Sequence, residues 1–266
     1  MHRTVVTLFF ALATLNLASA QKAAFNVAEA QNAPLGLPSP MDKFLALDIA
    51  LGEGAVKWSD VLKELSVNAD LRKLTVESDV SMALGVRIAD GVMAVKARDA
   101  NALNDCASDI EALAKKLQVS DEELDRAKKA RALANKGQWL MVFWELGCLQ
   151  VDIMRSLNKK GNERRRTLII TAGWMQGAHY AAYVIDKRYT PALSNCLREP
   201  MLVKAMQEEL AQLPATTKAA KRPAQLAKAL AEIHGIVNIP LDGAIPRDQV
   251  ARMNSLLSEL CTEFVQ

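Results

Sequence analysis

Residues 165–188, RRTLIITAGWMQGAHYAAYVIDKR, contain the run Leu168 to Ile185, eighteen positions without a formal charge. Its apolar residues fall on every side of a helical projection, which predicts a helix enclosed by neighbours all round. Eighteen residues reach the lower limit of a membrane span. Thr171, Gln176, His179 and two glycines dilute the run, however, and basic residues flank both ends. The reading is a buried bundle helix, with no stable membrane span in the mature chain.

Residues 139–157, WLMVFWELGCLQVDIMRSL, are the most hydrophobic stretch of the mature chain and are also apolar nearly all round. Glu145 and Asp152 share a single edge. The turn at Gly161-Asn162 sets this segment antiparallel to the first. Together they imply an all-α protein, a multi-helix bundle-like array with two long central hydrophobic helices, about 139–157 and 165–188.

The surrounding chain agrees. Residues 78–98 predict a third interior helix whose narrow polar edge carries Arg87 and Asp90. Amphipathic patterns follow at 99–117 and from Ser120 to Gly137, the second opened by Ser120 and Glu123 in capping-box spacing. Further helices are expected at 41–51, 58–65, 201–213, 225–234 and 250–264, and no convincing strand alternation occurs. Gly173, Gly177 and Ala181, four residues apart, predict close approach of another helix, with Gly85 and Gly91 as counterparts.

The N-terminus reads as an export signal. Arg3 precedes an apolar run from Val5 to Leu17 and then Ala18-Ser19-Ala20, an A-x-A cleavage pattern that starts the mature chain at Gln21. No cysteine follows the run to accept a lipid. Residues 1–20 are thus a signal peptide, 21–40 a flexible Pro-rich segment, and 41–266 one helical domain with a mobile connection near 214–223. The expected location is secreted or periplasmic.

Composition narrows the function. The chain is 50% hydrophobic, 24% charged and only 5% aromatic, with a net charge of +3, and its basic residues form no stripe able to track phosphates. Nucleic acid is not an expected partner. Four cysteines, Cys106, Cys148, Cys196 and Cys261, allow two disulfides in three pairings, or serve as small core residues. No C-x-x-C or His-x-x-x-His pattern accompanies them, so neither a metal nor another cofactor is expected.

One helix edge brings together polar residues at spacings of three and four: Gln176, His179, Tyr183 and Asp186. These form a candidate binding strip, with an interhelical hydrogen-bond network as the simpler alternative. Glu145 and Asp152, two turns apart, are too far separated to share an ion and are expected on a solvated edge near Arg165 or Arg87. Two segments, Gly173 to Gly177 and Leu197 to Pro200, stand out as signature-like without implying an activity. The function expected is that of an exported soluble helical protein with a non-enzymatic binding or cell-envelope structural role, acting on a protein or small-molecule partner. The alternative is an enzyme or cofactor-binding bundle using the Gln176, His179, Tyr183 and Asp186 edge.

Overall fold

Glu163 to Lys187 folds as one unbroken helix, and from Arg166 to Ile185 every residue except Gly173 is buried. The computed structural model describes residues 40–66, 71–119, 121–159, 163–240 and 242–266. Among them all regular structure is helical. In chain order the helices are α1 (Pro40–Leu51), α2 (Trp58–Leu65), α3 (Glu77–Ala97), α4 (Ala100–Lys116), α5 (Asp121–Ala134) and α6 (Trp139–Lys159). There follow α7 (Glu163–Lys187), α8 (Pro191–Ser194), α9 (Pro200–Ala211), α10 (Ala215–Ala219), α11 (Lys221–Val237) and α12 (Arg247–Val265). The all-α class holds. The expected signal peptide at 1–20, the segment 21–39 and the expected cap residue Ser120 lie outside the described residues.

α7 is the axis of the molecule, packed chiefly against α3 and α12 and also against α1. The α3–α7 crossing is set by two glycines. A Cβ on Gly85 would lie 2.2 Å from the Ile169 carbonyl oxygen, and one on Gly173 would lie 3.0 Å from the Gly85 oxygen. Only hydrogen at both positions allows the backbones to touch. Gly91, the other expected counterpart, faces elsewhere, toward Ile110 and Cys106 of α4. Phe44 of α1 meets Trp58 at 5.1 Å and the edge of Tyr180 at 6.0 Å between ring centroids. Burying each such ring contributes about 1.5–3 kcal/mol.

Short links place successive helices antiparallel. Arg98 adopts a left-handed conformation (φ 54°), its N–H donating to Ala94 and Val95 carbonyls, and the next residue, Asp99, accepts from the Ala102 N–H at 3.0 Å to cap α4. Gln118 (φ 60°) turns the chain after α4, and Gly137 (φ 71°) closes α5. α5 and α6 consequently form a hairpin that packs mainly on itself.

One expectation needs correction. The helix at 139–157 exists but is not central, because Leu140 (80%), Trp144 (66%), Met141 (47%) and Phe143 (45%) stand exposed. The place beside α7 belongs to α3, whose buried surface contains Ala, Gly and Ser and so fits a close crossing that bulky Trp and Phe would block. The connection at 214–223, expected to be mobile, holds α10 and the first turn of α11, with Thr217 and Pro223 buried.

Candidate functional site

Small residues on facing helices leave a pocket of about 260 Å3 bounded by α1, α3, α4, α5 and α6. Gly91, Ala107, Ala127, Ala130 and Gly147 supply too little side chain to close the gap, while Ile88, Val92, Ile110 and Phe143 give it apolar walls. Its two charged neighbours are Asp42 and Arg131. The Arg131 guanidinium is turned away from ligand duty, since it donates to the Asn104 carbonyl at 3.1 Å and Ser108 Oγ at 2.6 Å and pairs with Glu111 at 3.3 Å. What remains is a greasy cavity with few polar groups to orient a ligand.

The predicted strip on α7 does not face this pocket, and its four residues do separate work. Gln176 donates to Asp90 at 2.6 Å, where Tyr180 also donates at 2.9 Å and Arg87 pairs at 2.8 Å. Arg87 reaches Asp109 of α4 as well, at 3.0 Å. Of the four strip residues only Gln176 joins this interhelical network, which locks α3, α4 and α7 together. Asp90 is its centre. Burial, reinforced by the Asp90 charge, pushes the Tyr180 hydroxyl well above its ordinary pKa, so it stays a donor.

His179 is sealed in the core at 4% exposure, with neither ring nitrogen hydrogen-bonded among the described residues. Burial lowers its pKa to about 4, which keeps the imidazole neutral. It borders a cavity of about 10 Å3 shared with Gln176, Asp90 and Cys261. Such a space holds about one water, not a substrate. Tyr183 instead accepts from Lys187, which bridges to Glu64 at 2.8 Å, and Asp186 accepts from Asn254 of α12 at 3.1 Å. Asp186 therefore does not orient His179, and the enzyme alternative loses the accessible base it required.

Other sequence candidates are also placed. All four cysteines are free thiols, Cys106 and Cys261 buried and Cys148 and Cys196 half-buried. Burial raises the thiol pKa of Cys106 and Cys261, so both behave as small apolar residues. Glu145 is not on a solvated edge: it is 3% exposed and pairs with Arg126 at 3.2 Å and with Lys129. Arg165 meets Glu77 and the Leu117 carbonyl instead, and the Asp152 side chain lies outside the described residues. Among the described residues no group of three or more His, Cys, Asp or Glu side chains could hold a metal, and no helix is long and apolar enough to cross a membrane.

The two signature-like segments meet. Trp174 Nε1 donates to Glu199 at 2.9 Å, and Lys43 of α1 pairs with the same carboxylate while lying 5.4 Å from the Trp174 ring centroid. Burial holds the Lys43 ammonium below its ordinary pKa against the pull of Glu199. The cluster ties α1 and the start of α9 to α7. Sequence reasoning missed the pocket itself, although glycine and alanine at inward positions of α3, α4, α5 and α6 were its visible trace. No family model, curated protein or solved structure matches the chain.

Proposed function

We propose that this is an exported, non-enzymatic helical protein that binds a small apolar molecule in the pocket between α1, α3, α4, α5 and α6. The observation that carries the reading is the cavity of about 260 Å3 with its apolar walls. A cavity of about 150 Å3 accepts benzene, so this one suits a ligand of roughly ten non-hydrogen atoms, such as a medium-length acyl chain. Burying ten carbons gains about 8 kcal/mol before the cost of association, which points to a Kd on the order of micromolar or weaker. Export rests on the leader pattern of residues 1–20 and its A-x-A site.

Displacement of 1-anilinonaphthalene from the purified protein by decanol or decanoate tests the pocket. Ala107→Leu, which puts three more carbons into the space, should weaken the probe about tenfold. A wild-type protein that takes up no probe, or a variant that binds as well, would defeat the reading. N-terminal sequencing of the product outside the cytoplasm should begin at Gln21. A product still starting at Met1 would remove export.

A further inference from the structure

Among the described residues that line the pocket between α1, α3, α4, α5 and α6, two carry charge, Asp42 and Arg131. They differ in what answers them. Glu111 lies 3.3 Å from Arg131, whose guanidinium also donates to the Asn104 carbonyl and Ser108 Oγ. The Nε–H of Arg131 is left without an acceptor, yet the charge of the pair is balanced. Asp42 makes no side-chain hydrogen bond or ion pair among the described residues. The charge left uncompensated on the described lining is therefore negative.

The fold holds that carboxylate at the mouth. Met41, Phe44 and Leu47 are buried, which fixes how α1 can roll, and Asp42 stays exposed while still lining the pocket. The adjacent cation is committed elsewhere, because Lys43 pairs with Glu199 and lies 5.4 Å from the Trp174 ring centroid. An acid in the first turn of a helix is favourable in its own right. Its place on the lining is what adds a ligand, since a greasy pocket binds through its walls and sorts its ligands by the few polar groups at its edge. An anionic head would set a second negative charge beside Asp42, whereas an ammonium would donate a charge-assisted hydrogen bond to it.

We propose that the occupant of the pocket is a cationic amphiphile, with an ammonium head held at Asp42 and an apolar body of about ten carbons against Ile88, Val92, Ile110 and Phe143. The apolar body rests on the pocket reading given above. The cationic head is the new element, and it rests on Asp42.

Three competitors of one chain length test it: decylamine, decanol and decanoate, each displacing 1-anilinonaphthalene, an uncharged probe, from the purified protein at neutral pH. Decylamine should displace the probe at a concentration about fivefold below that of decanol, the upper end for one exposed ion pair, and decanoate should need about fivefold more than decanol. Raising the salt to about 1 M should shrink both ratios toward one. Asp42→Asn should bring decylamine and decanol to within twofold of each other. Asp42→Lys should invert the order and put decanoate first. Each ratio is read within one protein, so a general change in probe affinity cancels.

Equal displacement by the three in the wild-type protein overturns the cationic head and assigns Asp42 to the helix end alone, while the pocket reading stands. Decanoate as the tightest of the three overturns it too and moves the head to the free Nε–H of Arg131. A preference for decylamine that Asp42→Asn leaves intact also overturns it. A protein that takes up no probe and binds none of the three removes the pocket reading itself, and the cationic head with it.

Discussion

His179 is the residue at which solvent exclusion has the clearest measurable consequence. Its folded pKa of about 4 lies below the ordinary value near 6.5, so between those pH values the unfolded chain binds more protons than the folded one. Stability is therefore full above about pH 6.5 and is lost as pH falls toward 4, by about 3 kcal/mol for this group. Urea titrations across that range should show the slope, and His179→Leu should flatten it. At the α3–α7 crossing, Gly85→Ala forces a Cβ to within 2.2 Å of the Ile169 carbonyl and should cost about 3 kcal/mol or more. Gly91→Ala meets only side chains at 3.8 Å and beyond and should be neutral or stabilising by about 0.5–1 kcal/mol. Equal effects at the two glycines, read by chemical denaturation, would contradict the backbone contact. Asp90→Asn should cost about 3 kcal/mol, the low end for a broken buried pair, because Asp109 still holds Arg87.

Among the elements, caps and turns decide where helices stop and therefore which of them pair. Gln118 holds a left-handed φ of 60° that glycine adopts without strain, so Gln118→Gly should stabilise by about 1 kcal/mol, seen as a raised Tm. Asp99→Ala should cost about 1 kcal/mol through loss of the α4 cap. The bounds of α4 could be read from the chain as an amphipathic pattern over 99–117, whereas the left-handed turn at Gln118 carries no signal in its residue type. The buried character of α3 and α7 was also legible, since both are apolar around most of their projection. The same pattern on α6 misled. Its outward Leu140, Met141, Phe143 and Trp144 look like core residues in a projection, which records what a helix could bury and not what arrives to cover it.

For the whole molecule, the unequal packing predicts unequal stability. α3 and α7 share the most extensive contact, whereas α5 and α6 hold chiefly to each other over a cavity. Amide hydrogen exchange should release the α5–α6 hairpin first and the α3–α7 pair last, and equal protection across both would argue against the cavity as a weak seam. A bound apolar ligand should slow exchange in the hairpin more than elsewhere. The sequence alone determined the all-α class, most helix boundaries and the glycine at the central crossing, because periodicity, caps and side-chain size are properties of a segment and its immediate neighbours. Only the tertiary structure decided that His179 is sealed, that Gln176 and Tyr180 converge on Asp90, and that α6 lies at the rim of a pocket. Each of those depends on which distant helices come into register, and the alternatives share the same local pattern while differing in the shape left between them.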